Sequence, residues 1–248
     1  MKIGIIGFGN LGRSLASGLV KSGTADWDEL YICDASPEAR NLAPDAHTSE
    51  DFNFVINNAD VIFLVVKSYV FEEMAKSIDK DALAGKTIVS FMAGVTINDL
   101  RSLLGDLTFV LGMPSLAIAE CEGVIGYTEA PANVVSIFHK LGYAVETNPE
   151  GINKIMAFAA CGLGFAAYLI DAFAAAGITM GFSPEESARI AAQTFKNAID
   201  RGDFKQTAKA VATPGGVTEQ GLLHFDECGV YDIVAQAMRK AYDKVNYR

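Results

Sequence analysis

Residues 4–19 read GIIGFGNLGRSLASGL, with Gly7, Gly9 and Gly12 in a G-x-G-x-x-G frame. The apolar run KIGIIGF lies before the frame, and NLGRSLASGLVKSG follows it with Leu11, Leu15 and Leu19 four apart. The first run reads as a buried strand and the second as a helix ending at Gly23. Glycines between a strand and a helix suit a dinucleotide. Gly7 allows the tight turn, Gly9 lets a pyrophosphate approach the backbone, and Gly12 lets helix and strand pack closely. The helix start offers unpaired N–H groups and a positive dipole end to phosphates. Gly7, Phe8, Gly9, Asn10, Leu11 and Gly12 are therefore the first candidate cofactor contacts.

Moving outward, ELYICDA reads as a second strand. It delivers Asp34 22 residues after Gly12, near the spacing of about 20 for an acidic ribose ligand. A carboxylate there accepts from ribose hydroxyls and repels a 2′-phosphate, which favours NADH. Ser36 and Arg40 form the opposite reading, a phosphate pocket, and keep NADPH open. Asp34 as a plain turn residue is the third. Two later loops should line the same cleft, because ligands sit at the carboxyl ends of parallel strands. VVKSY (65–69) brings Val66 and Lys67. SFMAGV (90–95) brings Ala93 and Gly94, small enough for a nicotinamide ring to lie against backbone.

Strands continue to alternate with helices through TFVLGMP, GVIGYT, ANVVSIFHKLG and YAVET. That pattern predicts an α/β fold with a Rossmann-type, mainly parallel sheet. It stops at Pro149-Glu150-Gly151, after which no convincing strand follows. INKIMAFAACGLGFAAYLIDAFAAAGITMG reads as one long helix bent near Gly162 and Gly164. Ser183-Pro184-Glu185-Glu186 opens another, with Ser at the N-cap and Pro first in the helix. The expected organisation is a dinucleotide-binding domain over 1–150 and an all-helical domain over 151–248.

Composition excludes several classes. Acids outnumber Lys and Arg 30 to 20, and the net charge is −10 with no basic run. Nucleic acid and anionic membrane surfaces are poor partners for such a chain. Cys33, Cys121, Cys161 and Cys228 form no C-x-x-C pair and no zinc spacing, so no metal is expected, and reduced thiols in a cytoplasm suit their spread. Glycines interrupt the N-terminal apolar run where a signal peptide would continue. IMAFAACGLGFAAYLI (155–170) is uncharged, but Lys154 and Asp171 close it short of the roughly 20 residues of a membrane span. It is expected to be a helix buried on all sides.

At the far end, KAVATPGGVTEQGLLHF (209–225) turns at Pro-Gly-Gly into a helix. Amides at Gly215, Gly216 and Val217 would form an anion nest for a small carboxylate, flanked by the hydroxyls of Thr213 and Thr218. An ordinary helix cap reads the same residues without a ligand.

Together these motifs resemble the pyrroline-5-carboxylate reductase family. IGIIGFGNLGRSLASGL, ADVIFLVVK, SFMAGV, the Met-Pro of LGMPS, the Gly-x-Gly of CGLG, AAQT (191–194) and VATPGGVT occur in its order and spacing, from residue 1 to about 245. The resemblance implies a helical dimerisation domain, with an intertwined helix pair over 155–176 in a homodimer or higher homo-oligomer, and an active site between the two domains. It implies reduction of the C=N bond of a cyclic imino acid to proline with NADH or NADPH. Gly215 to Val217 would hold the substrate carboxylate with help from Thr213. Thr218 would lie near the imine nitrogen, and Lys67, Ser68, Ala93 and Gly94 would border the cofactor. No Ser-His-Asp set or metal cluster is needed, because a protonated imine is already electrophilic and must mainly be positioned.

The chain departs from the family at several polar positions. Lys67-Ser68 stands for Lys-Pro. Leu111-Gly112-Met113-Pro114-Ser115 stands for Arg-x-Met-Pro-Asn. Cys161-Gly162-Leu163-Gly164-Phe165-Ala166-Ala167 stands for Ser-Gly-Ser-Gly-Pro-Ala-Tyr. These changes leave room for a related or bulkier imine as substrate. The same architecture also accommodates a hydroxy-acid oxidoreductase, with Lys154 as its general acid, or a non-catalytic nucleotide-binding regulator. Among the histidines, His224 lies nearest in sequence to Thr218; His47 and His139 read as surface residues.

Overall fold

The computed structural model describes residues 1–246. Eight strands form one sheet: β1 (Ile3–Ile6), β2 (Leu30–Cys33), β3 (His47–Ser49), β4 (Val61–Leu64), β5 (Thr87–Ser90), β6 (Thr108–Pro114), β7 (Gly123–Tyr127) and β8 (Gly142–Glu146). Their spatial order is β3-β2-β1-β4-β5-β6-β7-β8, parallel throughout except for the antiparallel β6–β7 pair. The order reverses between β1 and β4, which makes the crevice at their carboxyl ends the topological switch point.

The helices of this part are α1 (Asn10–Lys21), α2 (Pro37–Arg40), α3 (Phe52–Asn58), α4 (Ser68–Met74), α5 (Ile97–Leu104), α6 (Ala132–Leu141) and α7 (Pro149–Ile155). The sheet is covered on both faces, which is why its inner strands read as unbroken apolar runs. Leu15, Leu19 and Phe138 pack on one face with Ile5, Phe63 and Val89. Val55, Phe71, Leu100 and Ile152 pack on the other with Ile6, Ile62 and Ile88. β3 is not apparent from the sequence. It has three residues, two of them exposed, at the sheet edge, so no alternation marks it.

A π-helical turn (Met156–Ala160) joins α7 to α8 (Cys161–Thr179), and α9 (Pro184–Arg201), α10 (Phe204–Val211), α11 (Val217–Glu227) and α12 (Val230–Asn246) complete the chain. The irregularity of the long helix thus sits before the glycines expected to bend it. A Cβ at Gly162 or Gly164 would meet nothing within 4 Å. Ser183 caps α9 as expected: its Oγ accepts from the Glu186 amide, and the Glu186 carboxylate accepts from the Ser183 amide. Among the described residues, compactness separates 1–161 with 241–246 from Gly162–Lys240. The break lies about ten residues beyond the sequence boundary at 150, and the end of α12 groups with the sheet.

The expectation that 155–170 is buried on all sides is corrected. Among the described residues α8 has no buried side chain, and Tyr168 is 74% exposed. The helical run Pro149–Thr179 is long and apolar enough to cross a bilayer by length and composition, with a mean hydropathy of 1.8 in its most apolar window.

Candidate active site

Every candidate cofactor residue from the first half lies at the carboxyl end of a parallel strand. The glycine loop follows β1, Asp34 and Ser36 follow β2, Val66 and Lys67 follow β4, and Ala93 and Gly94 follow β5. The Gly7 amide donates to the Cys33 carbonyl (2.8 Å) and the Val65 amide to the Ile6 carbonyl (2.8 Å), which ties the three loops nearest the switch point together.

The three glycines separate into three structural roles. Gly7 has φ +101°, and a Cβ there would lie 2.5 Å from the Val65 carbonyl oxygen. A Cβ on Gly12 would lie 2.1 Å from the Gly7 carbonyl oxygen. At Gly9 a Cβ meets nothing within 4 Å. Gly7 and Gly12 are required by the fold itself. Gly9 is not, and its open side is where a phosphate can approach. No side chain caps α1, whereas Ser36, Asp51, Thr96, Asn148 and Asp203 cap α2, α3, α5, α7 and α10. The amides of Asn10, Leu11 and Gly12 therefore remain available, and the site fits a dinucleotide pyrophosphate.

These roles predict opposite outcomes for one methyl group. Gly12→Ala should lose about 1–3 kcal/mol of unfolding free energy through overpacking. Gly9→Ala, at φ −71°, should keep stability within about 0.5 kcal/mol but weaken dinucleotide binding by about tenfold, ~1.4 kcal/mol. Chemical denaturation and cofactor titration read the two separately.

Phe8, a candidate cofactor contact, has its amide already engaged within the protein. Its ring is buried in the core, and its amide donates to Asp34 Oδ2 at 2.6 Å. Asp34 Oδ1 accepts from the Ser36 amide at 2.9 Å. Ser36 Oγ accepts from the Ala39 amide and donates to Glu38. Arg40 donates to the Asp34 and Ala35 carbonyls.

Ser90, Gly94, Thr96, Gly112, Met113 and Asn153 are among the residues lining a cavity of about 380 Å³ at the ends of β5 and β6. It adjoins the Ala93-Gly94 loop. Sequence reasoning does not find Ser90, Thr96 and Asn153, because a lone Ser, Thr or Asn carries no spacing signal.

In the helical unit, Thr213, Gly215, Gly216, Val217 and Thr218 come together at the start of α11. The expected nest of three open amides is corrected. The Gly216 amide donates to the Thr213 carbonyl (2.8 Å), and the Gly215 amide donates to Glu219 Oε2 (2.7 Å). No side chain caps α11, so Val217, 94% exposed, and Thr218 carry the open amides. Gly215 has φ +73°, which keeps that turn to glycine. The chain's own carboxylate therefore sits where a substrate carboxylate was expected.

The departures from the family pattern fall into two groups. Leu111 and Ser115 are buried; the Leu111 amide donates to Thr128 Oγ1, and Ser115 Oγ accepts from the Val124 amide. Both serve the β6–β7 framework. Leu163 and Ala167 lie exposed on α8, and Phe165 half-buried. Lys154 is held by Glu150 at 2.7 Å, and the pair raises the Lys154 pKa through hydrogen bond and charge. That favours a standing ammonium over a proton-cycling general acid. His224 is exposed on the last turn of α11, with Nε2 3.7 Å from Cys228 Sγ. Among the described residues no metal-holding cluster occurs. Cys33 is buried, and burial followed by Asp34 pushes its thiol up to about 12, so it is inert.

Residues 149–247 match the model of the pyrroline-5-carboxylate reductase dimerisation region, and residues 2–94 match that of NADP oxidoreductase, coenzyme F420-dependent. A pyrroline-5-carboxylate reductase of Aquifex aeolicus is 29% identical over 98% of this chain and 96% of its own. That of Escherichia coli K12 is 28% identical over the same shares. The fold is that of a Plasmodium falciparum pyrroline carboxylate reductase crystallised with NADP bound, at TM-score 0.90 and 23% identity over 99% of this chain and 97% of the other. The two models match separate parts of the chain, and relatives named pyrroline-5-carboxylate reductase are similar to it nearly end to end.

Proposed function

We propose that this protein reduces the C=N bond of 1-pyrroline-5-carboxylate to give proline, the last step of proline biosynthesis, with NADH or NADPH. The observation that carries the reading is the presence of both an uncapped, Gly9-opened α1 terminus and the Thr213–Thr218 turn in a chain matched across its length to enzymes of that name. The nicotinamide cofactor, when bound, supplies the hydride. The amides of Asn10, Leu11 and Gly12 hold its pyrophosphate, and Ala93 and Gly94 leave room beside the cavity for its ring. The amides of Val217 and Thr218 receive the substrate carboxylate, with Gly215, Gly216 and Thr213 shaping the turn. The Thr218 hydroxyl hydrogen-bonds at the imine nitrogen and holds a proton there. Positioning is the main contribution of such a site. NADH is favoured because Asp34 after β2 and Glu50 after β3 bring negative charge to the place where an added phosphate would sit.

The exposed α8 supports a second copy of this chain as the partner, since it lies within residues matched to a dimerisation region. That occupant, rather than lipid, covers the apolar surface. A cytoplasmic location fits the four free thiols.

Glu219 supplies a test of the carboxylate site. Its carboxylate, held on the Gly215 amide, puts a like charge beside the amides that receive the substrate carboxylate, so Glu219→Gln should lower KM for pyrroline-5-carboxylate by roughly three- to tenfold. Steady-state kinetics with saturating cofactor reads this. A raised KM would move the substrate carboxylate elsewhere.

A further inference from the structure

The carboxyl end of β2 holds more charge than a simple ribose site needs. Asp34 spends one oxygen on the Phe8 amide inside the glycine loop (2.6 Å) and the other on the Ser36 amide (2.9 Å). The first bond crosses from the β2 end to the β1 loop, so the carboxylate fixes the entry of the loop that Gly9 opens. Arg40, the cation bonded to this end of β2, is committed too. Its Nη1 donates to the Asp34 carbonyl at 2.6 Å and the Ala35 carbonyl at 3.2 Å. Its Nη2 lies 3.8 Å from Glu50 Oε2. Glu50 directly follows β3, whose last residue Ser49 pairs with Cys33.

An added 2′-phosphate would need a free fork of donors to bind against Asp34. Arg40 is the residue able to supply one, and Glu50 lies against Nη2, the terminal nitrogen not used on the backbone. Carboxylates at Asp34, Glu50 and Asp51 all push the neighbouring Cys33 thiol up, while Arg40 alone of the charges acting on it pulls it down. Three carboxylates and one guanidinium thus gather around this end of β2.

We propose that Asp34 is a positioning residue for the glycine loop, and that Glu50, by facing Arg40, is the residue that discriminates against the cofactor with the extra phosphate. This rests on the dinucleotide reading of the site. It separates two tasks that a lone acid after β2 is usually given together.

The test is titration of NADH and NADPH against wild type, Asp34→Asn and Glu50→Gln, with thermal melts of each. Asparagine keeps one acceptor and places an NH₂ against an amide that now has none. Asp34→Asn should weaken both cofactors by about tenfold or more, with their ratio held within about threefold. Glu50 is 78% exposed in its side chain, so Glu50→Gln should melt like wild type. It should leave NADH within about twofold and tighten NADPH by roughly three- to tenfold, the shift being modest because the pair is exposed. Loss of NADH binding alone in Asp34→Asn, or a gain of NADPH there, would overturn the positioning role. An unchanged cofactor ratio in Glu50→Gln would overturn the discriminating role. Failure of Asp34→Asn to fold would support the loop anchor, leaving Glu50→Gln to decide the rest. Wild type that binds neither dinucleotide would defeat the functional reading itself, a result distinct from either failure above.

Discussion

Tyr168→Asp should convert the protein from a dimer or larger assembly into a monomer at micromolar concentration. Tyr168 is the most exposed large apolar side chain of α8, and Leu163, Leu169, Phe173 and Ile178 on the same helix are each more than two-fifths exposed. A helix apolar all round is stable in water only when other surfaces cover it. An unpaired carboxylate buried there costs about 3–5 kcal/mol, which weakens self-association on the order of a hundredfold or more. Sedimentation velocity across a dilution series reads the change, and circular dichroism checks that the helices persist. Wild type sedimenting as a monomer at high concentration would contradict the reading of α8.

The second large effect belongs to Thr218. Its hydroxyl stands at the second residue of α11, an uncapped helix beginning beside a glycine turn. A hydroxyl that holds a proton at the imine nitrogen contributes by hydrogen bonding and general acid chemistry, and such groups are worth about 10²-fold or more. Thr218→Ala should therefore lower kcat by about a hundredfold while cofactor affinity stays as in wild type. Thr218→Ser, which keeps the hydroxyl, should recover most of the rate. Loss of the rate in Thr218→Ser as well would assign the residue to packing.

How much of the molecule is legible in its sequence differs by element. The sheet is, because apolar runs such as VIFL and the IGII before the glycine frame report burial on both faces. The turn at Gly7 and the close packing at Gly12 are also legible, since their spacing in the frame separates the two. β3 is not, because an exposed three-residue edge strand leaves no periodic trace. The π-helical turn at 156–160 is hidden because glycines farther on offer a more obvious reason for a bend. α8 misleads in another way: apolarity shows that a surface is covered, not whether its own chain covers it. At the sites, residue types are legible and hydrogen-bond partners are not. Nothing in TPGGVTEQ says that Glu219 takes the Gly215 amide, and nothing in ICDASPEAR says that Asp34 reaches back to Phe8.

The most direct test of the central claim is turnover of 1-pyrroline-5-carboxylate by the purified wild-type protein. NADH and NADPH are supplied in separate reactions, and oxidised cofactor is measured against proline formed. One proline should form per cofactor oxidised, at rates well above background, with NADH the better donor. Tight binding of either cofactor without proline formation would contradict it. In that case the altered residues at Leu163, Phe165 and Ala167 would have redirected or silenced the site.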